Sequence, residues 1–443
     1  MTATTQLPPA LEGITAIEGR DEDYDQFLDA IGNSRIVLLG EASHGTHEFY
    51  RERARITKRL IDEKQFTAVA VEADWPDAYR VNRYVMGMSD DASADEALSG
   101  FERFPAWMWR NQDMLNFAEW MRVRNDSQAF AGSKARFYGL DLYSMRASMQ
   151  AVIDYLQSVD PEAARVAIER YSCFDHVGGE GQEYGYSVAF DHSVPCEPEV
   201  IAQLVDMRNK AAEVAPGDML AEDEAFFAEQ NARLVLNAER YYRAMYRGRA
   251  ESWNLRDLHM YETLNAVLRH LEQMFGSSKV VVWEHNSHVG DARATDMGTG
   301  GQLNVGQLVR SGWSGDCYAA GFTTHRGWVT AASDWGAPME RKRVRAALPN
   351  SYEEFFSESA ETGNFALQLK GPVLDVLPEV ALERAIGVIY RPETERVSHW
   401  FHARLADQFD SIIHIDDSSA VEPLDRTQVW ERGEPPETYP TGL

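Results

Sequence analysis

Short apolar runs alternate with longer segments of helical periodicity along the first 160 residues of the chain. The apolar runs are typical of buried strands, and they cover residues 35–39, 66–71 and 136–140. The segments of helical periodicity cover residues 22–31, 47–64, 77–85, 113–123 and 147–156. Strands separated by helices in this order pair in parallel, because a crossover helix returns the chain to the same end of the sheet. We therefore predict an α/β fold with a central, mostly parallel, doubly wound sheet flanked by helices.

The middle of the chain carries almost no strand pattern. Segments that are charged and helical in period cover residues 199–214, 222–246 and 255–275, which predicts a helical insertion or cap at 160–250. Residues 21–159 and 251–420 are then the α/β core, with further strands predicted at 279–283, 317–323, 328–332, 386–390 and 411–415. Residues 1–20 are predicted to be a loose lead-in, and residues 421–443 a polar tail that contains prolines. A length of 443 residues also allows two or three domains.

The formal net charge of −27 argues against two classes of partner. Binding to nucleic acid or to an anionic membrane surface needs a basic face, which this composition does not favour. The first residues do not have the pattern of a signal peptide, and no apolar run is long enough to span a bilayer. The three cysteines are odd in number and far apart, which predicts reduced thiols and a reducing compartment. We expect a cytoplasmic protein that binds neither nucleic acid nor membranes.

Polar side chains follow each of the predicted buried strands. They are Glu41 and His44 after the first strand, Glu72 and Asp74 after the second, Asp141 after the third, and Glu284, His285 and His288 after the strand at 279–283. In an open parallel sheet, ligands bind in the crevice at the carboxyl ends of the strands. The sequence therefore predicts that these carboxylates and imidazoles surround one catalytic or metal-binding crevice.

The loop after the first strand has the composition of a catalytic loop. Gly40 and Gly45 permit a tight turn and a close backbone approach. His44 then lies just before a helix, where an imidazole can act as a general base near neutral pH. Glu41, three residues earlier, would orient the ring and stabilise the imidazolium. A helix start with polar caps is the alternative interpretation of the same residues.

An arginine interrupts the apolar stripe of the next helix. Phe49, Arg53, Ile56 and Leu60 recur at helical spacing on the face that should pack on the sheet. A buried guanidinium needs a carboxylate partner, and we predict that Glu72 and Asp74 supply it. Arg53 would then fix a catalytic carboxylate or meet a substrate oxyanion, whereas a purely structural ion pair is the alternative.

The pair His285 and His288 admits two chemistries. Two imidazoles three residues apart can bind one metal ion together with Glu41 and Glu72. They can also act without a metal, as base, acid or oxyanion donor. Three tryptophans near these motifs, which are Trp75, Trp107 and Trp109, line a pocket or belong to the core.

Several common catalytic motifs do not occur in the sequence. It contains no GxSxG nucleophile elbow, no GxxxxGK[ST] phosphate loop, no GxGxxG and no HExxH. No cysteine lies near the strand-end motifs. The nucleophile is therefore expected to be an activated water molecule.

The motifs as a group resemble the erythromycin esterase family. The matching segments are GEASHGTHE at 40–48, VEADWP at 71–76, FYGLDL at 137–142, HNSHV at 285–289 and RPETE at 391–395. The resemblance runs from about residue 36 to residue 422. It implies an α/β core with a deep cleft, and hydrolysis of a small-molecule ester or lactone, as in macrolide resistance of bacteria, by a water that a histidine activates. No cofactor is expected, and the use of a metal ion stays open.

The resemblance also implies a role for each matching residue. His44 would be the general base and Glu41 its supporting carboxylate, while Arg53, Glu72, His285 and His288 would complete the catalytic set. Asp74, Trp75 and Asp141 are predicted to contact the substrate. Two other functions use the same cleft: a metal-dependent hydrolase of amides or phosphate esters, with Glu41, Glu72, His285 and His288 as ligands, and a protein that binds a ligand without turnover.

Overall fold

The computed structural model describes residues 11–175, 181–190, 194–215 and 217–432 of the chain. Its strands are β1 (Ile14–Ala16), β2 (Ile36–Leu39), β3 (Ala68–Asp74), β4 (Arg136–Asp141), β5 (Val280–Trp283), β6 (Cys317–Ala332), β7 (Met339–Val344), β8 (Phe365–Gln368), β9 (Ala381–Arg384), β10 (Trp400–Ala403) and β11 (Ser411–Ser418).

Helices separate most of these strands. They are α1 (Asp25–Ile31), α2 (His47–Lys64), α3 (Trp75–Met86), α4 (Ala94–Leu98), α5 (Gln112–Asp126), α6 (Met145–Val159), α7 (Pro161–Tyr171), α8 (Gly181–Phe190), α9 (Glu197–Ala212), α10 (Met219–Ala244), α11 (Arg249–Phe275), α12 (Asn286–Val289), α13 (Asp296–Thr299), α14 (Val305–Gly312), α15 (Tyr352–Ser359), α16 (Glu395–Ser398), α17 (Leu405–Gln408) and α18 (Gln428–Arg432).

Within the described ranges, nine strands form one sheet in the order β1-β8-β11-β6-β2-β5-β3-β4, with β7 paired to β6. The six strands from β11 to β4 pair in parallel, whereas β1, β7 and β8 pair antiparallel. The α/β fold with a mostly parallel sheet is therefore confirmed. Leu39 and Trp283, the last residues of β2 and β5, are in register with Val71 of β3. The residues that follow these three positions consequently start from the same edge of the sheet.

The sheet is buried on both faces because successive strand residues point to opposite sides. Ile36 and Leu38 of β2 belong to one apolar core, which includes residues of α6, α10 and α11. Val37 and Leu39 belong to a second core, which includes residues of α2, α3 and α5. This explains why the central strands are continuous apolar runs with no alternation of polar residues.

Some predicted strands differ from the observed ones. The strands predicted at 317–323 and 328–332 are one continuous strand, β6. The strand predicted at 386–390 was wrong, since the strand β9 ends at Arg384 and residues Ile386 and Ile389 form only isolated bridges. No strand was predicted at β1, β7, β8 or β10, which are edge or peripheral strands in the described sheets.

Residues 160–250 are helical over most of their described part, from α7 to the end of α10, although the domain boundaries remain a prediction. Residues 1–10 of the predicted lead-in and 433–443 of the predicted tail lie outside the described residues. Two side chains of the predicted tail, Val421 and Trp430, are buried. No helix in the described ranges combines the length and the apolarity needed to cross a bilayer.

The prediction of reduced thiols was wrong for two cysteines. Cys173 and Cys196 form a disulfide, with their Cα atoms 5.9 Å apart. They are separated by 23 residues in the chain, and only the packing of the helices in the insertion brings them together. This pairing contradicts one of the two arguments for a cytoplasmic location, which stays a prediction. Cys317 is free.

Candidate active site

The topology places a crevice between β2 and β5. From β2 the chain continues to β3 on one side of the pair, whereas from β5 it continues to β6 on the other side. Connections that leave neighbouring strands in opposite directions open a crevice at their carboxyl ends. His44 follows β2 and His285 follows β5, and the centroids of their rings are 5.0 Å apart. The two histidine motifs therefore share one site.

A chain of charged hydrogen bonds holds His44. Its Nδ1 lies 2.8 Å from Glu41 Oε1, and Glu41 Oε2 accepts from Arg53 Nη2 at 2.5 Å. The Tyr50 hydroxyl donates to the backbone carbonyl of His44 at 2.9 Å. Because the carboxylate can only accept, the proton of a neutral His44 ring lies on Nδ1. The lone pair is then on Nε2, the atom that a general base needs.

The predicted partners of Arg53 were wrong. Its side chain is 0% exposed and pairs with Glu41, while its guanidinium carbon lies 4.7 Å and 5.1 Å from the ring centroids of Tyr50 and Trp283. Helix α2 begins directly after the catalytic loop, so its second turn lies beneath that loop and faces Glu41. Arg53 therefore acts through Glu41 and does not reach the cleft.

Two glycines keep the loop close to the sheet. A Cβ at Gly45 would collide with the carbonyl oxygen of Thr330, and one at Gly40 would collide with the side chain of Asn286. Neither glycine has a positive φ. The loop therefore uses glycine for close approach, which lets His44 lie over the ends of the central strands.

Glu72 connects both histidine motifs to an arginine of α11. Its Oε2 accepts from the backbone N–H of His285 at 2.9 Å, and its Oε1 accepts from Arg256 Nη2 at 2.7 Å. Arg256 also donates to both carboxylate oxygens of Asp141, at 3.0 and 2.8 Å. Burial alone would raise the pKa of Glu72, but the nearby His288, His44 and Arg256 hold it well below its usual range. Both carboxylates are therefore ionised.

His288 is the most strongly held imidazole of the site. Its Nδ1 lies 2.8 Å from Asp257 Oδ1, its Nε2 lies 3.5 Å from Glu72 Oε1, and its ring stacks on Trp253 with 4.6 Å between the centroids. Burial opposes protonation, but the Asp257 and Glu72 carboxylates outweigh it and raise the pKa of His288 to about 9. Arg256 Nη1 lies 3.1 Å from His288 Nε2. It can donate a hydrogen bond to this nitrogen only when Nε2 carries no proton.

His285 differs in charge from His288. Its Nδ1 accepts from the backbone N–H of Ser287 at 3.1 Å and lies 2.9 Å from the Ser287 hydroxyl. Burial, together with the nearby His44, lowers the pKa of His285 to about 3. The ring is therefore neutral, with its proton on Nε2.

Glu284 is buried behind the histidines. It is 0% exposed, and neither of its carboxylate oxygens has a hydrogen-bond partner within the described residues. Burial first, and then the nearby Glu72 and Asp257, raise the pKa of Glu284 well above its usual value, although His288 opposes this. Burial therefore favours the uncharged form of Glu284.

Two of the three predicted substrate contacts reach the cleft. Asp74 and Asp141 line it, and Asp74 also accepts from Arg103 at 2.8 and 3.1 Å. The prediction for Trp75 is corrected, because that side chain is 1% exposed, stacks on Tyr138 and points into the core. Among the other tryptophans, Trp109 lines the cleft, whereas Trp107 is buried outside it.

The cleft consists of two cavities that meet at His44. The first arm has a volume of about 720 Å³, and Phe101, Arg103, Phe104, Trp109 and Tyr143 are among its lining residues. The second arm has a volume of about 1480 Å³, and Trp253, Met297, His399, Trp400 and Phe401 are among its lining residues. The residues that line both arms are His44, Glu72, Arg256, Trp335 and Val388.

The sequence motifs did not reveal the contribution of α11. Arg256 and Asp257 bind Asp141, Glu72 and His288, but they belong to a long charged helix without a recognisable motif. One signal was available for Asp257, which lies on the same helical stripe as the buried residues Met260, Leu264 and Leu271. A carboxylate in an apolar stripe requires a buried partner, by the same argument that selected Arg53.

The donor set does not resemble a metal centre. Glu41 and Glu72 are both engaged by arginines. In the part of the chain that the structure describes, no group of three or more His, Cys, Asp or Glu side chains has the arrangement of metal ligands.

The sequence profile of the family described as "Erythromycin esterase" matches residues 61–418. The chain belongs to the erythromycin esterase family. The predicted resemblance is confirmed, and the protein is a hydrolase of the erythromycin esterase type. A curated erythromycin esterase type II from Escherichia coli is 22% identical over 91% of this chain and 94% of its own length. A putative hydrolase from Bacillus subtilis is 20% identical over 72% of each chain.

Solved structures of related proteins share the fold. A succinoglycan biosynthesis protein aligns with a TM-score of 0.71 and 21% identity over 94% of this chain and 96% of its own. A mutant erythromycin esterase in its open conformation aligns with a TM-score of 0.65 and 15% identity over 92% of this chain and 96% of its own. These likenesses establish the α/β architecture of the family.

Proposed function

We propose that this hydrolase cleaves a carboxylic ester or lactone with a water molecule that His44 activates. The observation that carries the proposal is the chain Arg53–Glu41–His44 at the meeting point of the two arms, with hydrogen bonds of 2.5 and 2.8 Å. This chain fixes the tautomer and the orientation of the imidazole. Such positioning is what a general base needs before a substrate binds.

The reaction has two steps. His44 Nε2 takes a proton from water as the water oxygen adds to the ester carbonyl, which breaks the carbonyl π bond and gives a tetrahedral intermediate. The carbonyl re-forms as the bond to the alcohol oxygen breaks, and the imidazolium returns its proton to that oxygen. The products are one acid and one alcohol, or one hydroxy acid from a lactone. Glu41 stabilises the imidazolium between the steps.

Arg256 and His288 are suited to stabilise the oxyanion. Their nitrogens Nη1 and Nε2 lie 3.1 Å apart, and both residues line the second arm. A protonated His288 and a guanidinium would direct two donors at a developing negative charge. This role replaces the one predicted for Arg53, which is turned away from the cleft.

The family relationship supports macrolide lactones as the first substrates to test, since the Escherichia coli relative is named an erythromycin esterase. The experiment incubates the protein with a panel of macrolides, smaller lactones and simple esters, and measures masses. We expect the addition of one water molecule to at least one ester or lactone. A complete panel without any hydrolysis would contradict the proposal, and binding without turnover would favour a ligand-binding protein.

The pH profile tests the charge of His288. Its pKa in the folded protein, about 9, lies above the ordinary value of 6.5. Protonation therefore stabilises the folded state fully below about pH 6.5, and this contribution disappears as the pH rises through about 9. We expect kcat/KM to fall as the pH rises through about 9. The reason is that His288 then loses the proton that it would donate to the oxyanion. Activity and urea unfolding are measured from about pH 6 to pH 10 for the wild type and for His288→Gln. A stability difference between the two proteins that does not narrow with rising pH would contradict this assignment.

Removal of metal ions is expected to leave the rate unchanged. The reason is that arginines already engage the carboxylates that a metal would need. Ester hydrolysis is measured after dialysis against a chelator and again after addition of zinc or manganese. A loss of activity that zinc or manganese restores would instead support the metal-dependent alternative.

A further inference from the structure

The point where the two arms meet is enclosed by more than the polar residues of the proposed mechanism. His44, Glu72 and Arg256 line both arms, and so do Trp335 and Val388. Trp335 lies in the turn of the hairpin between β6 and β7. A substrate that extends from His44 into both arms would therefore pass Trp335.

Each arm offers an apolar surface to the group that it receives. Phe101, Phe104, Pro105, Met108 and Trp109 line the first arm, and Trp253, Met297, Val397, Trp400 and Phe401 line the second. The charged pairs of the first arm, Asp74 with Arg103 and Asp141 with Arg256, are internally neutralised. The first arm therefore suits a bulky apolar group better than an ion, and the second arm offers an apolar wall beside the charged Arg256 and His288.

Trp335 contacts the wall of the first arm but is not itself buried. Its ring meets Phe104 edge to face, with 5.0 Å between the centroids, and the residue is 50% exposed. A tryptophan held at the mouth of a cleft, with half of its surface in water, gains stabilisation when a ligand covers it. The same side chain also borders the second arm, so a ligand in either arm would meet it.

We infer that the substrate is an ester with a bulky, mainly apolar group on each side of the scissile bond, and that Trp335 determines this specificity. The inference rests on the proposed ester hydrolysis. The acyl group occupies one arm and the alcohol group the other, while Trp335 packs against both. Each bulky group buries apolar surface of its arm, and this burial offsets the free-energy cost of binding the group. A small ester does not bury this surface.

Four esters of similar intrinsic reactivity test the inference. They are ethyl acetate, ethyl naphthylacetate, naphthylmethyl acetate and naphthylmethyl naphthylacetate, and each kcat/KM is divided by the rate constant for hydrolysis by hydroxide. We expect the ester with two naphthyl groups to exceed ethyl acetate by roughly 100-fold or more. Each single naphthyl group is expected to give a smaller gain.

Variants of single residues identify the side chains on which the gain from the naphthyl groups depends. Trp335→Ala is expected to lower kcat/KM for the ester with two naphthyl groups by roughly 10- to 100-fold, and that for ethyl acetate by less than about threefold. Phe104 lines only the first arm, so Phe104→Ala is expected to lower kcat/KM more for one of the two esters with a single naphthyl group than for the other. The matched control is Trp328→Ala, a tryptophan of the same hairpin that is 37% exposed and lines neither arm.

The outcomes separate the inference from the proposed function. If ethyl acetate is hydrolysed in a His44-dependent reaction but the second naphthyl group brings no gain, the inference is wrong and the proposed function stands. Equal losses on all four esters in Trp335→Ala, or the same selective loss in Trp328→Ala, would also overturn it. If the wild type hydrolyses none of these esters and no macrolide or lactone of the wider panel, both fail.

Discussion

Replacement of His44 by alanine is expected to lower kcat for ester hydrolysis by roughly 10²- to 10⁴-fold, with a much smaller change in KM. The variant loses the base that takes the proton from water, whereas the two arms that bind the substrate are unchanged. The measurement uses any ester or lactone that the wild type hydrolyses, together with a thermal unfolding curve to show that the variant is folded.

The matched control is His47→Ala. His47 lies three residues away in the same segment, but its Nδ1 pairs with Asp113 at 2.8 Å and its side chain is 36% exposed. We expect this variant to keep a rate within about threefold of the wild type, because surface ion pairs contribute little. A His44→Ala enzyme as active as His47→Ala would show that another group activates the water.

Replacement of Arg53 by methionine is expected to cost about 3–5 kcal/mol of the free energy of unfolding. The side chain is 0% exposed and pairs with Glu41, which is itself 2% exposed. Methionine fills much of the volume but leaves the Glu41 carboxylate without its cation. Urea unfolding monitored by circular dichroism measures the loss, and kcat is expected to fall as well because Glu41 no longer holds His44.

Two further variants test this explanation. Arg165→Met removes an exposed ion pair with Glu162, in which the arginine side chain is 64% exposed, and it is expected to leave the midpoint of urea unfolding nearly unchanged. The double variant Glu41→Gln with Arg53→Met no longer buries an isolated carboxylate. It is expected to be more stable than Arg53→Met alone, by roughly 1–3 kcal/mol. If the double variant is the less stable of the two, the loss in Arg53→Met comes from packing and not from charge.

The central sheet could be predicted from the sequence because its information is local. Each parallel strand is buried on both faces, so β2, β3, β4 and β5 appear as continuous apolar runs that need no knowledge of their neighbours. The short edge and peripheral strands β1, β7, β8 and β10 were missed for the converse reason. β1, β7 and β10 are only partly buried, whereas the four residues of β8 are mostly buried and are defined by pairing with the distant strands β1 and β11.

The disulfide and the position of Trp75 could not be predicted locally. Cys173 and Cys196 meet through helix packing within the insertion, which no spacing rule specifies. Trp75 follows a strand end like the catalytic residues, but the first turn of α3 directs it to Tyr138 and Phe227 in the core. Position at a strand end therefore indicates proximity to the cleft and not the direction of a side chain.

The sequence by itself determined that the motifs around His44, Glu72 and His285 meet at one edge, because the carboxyl ends of parallel strands always share an edge. Only the tertiary structure decided which charges pair there: Arg53 with Glu41, and Arg256 of α11 with Glu72 and Asp141. The physical reason is that an ion pair depends on which face of a helix packs on the sheet and at what height. Many distant contacts fix that geometry jointly, and no short segment encodes it.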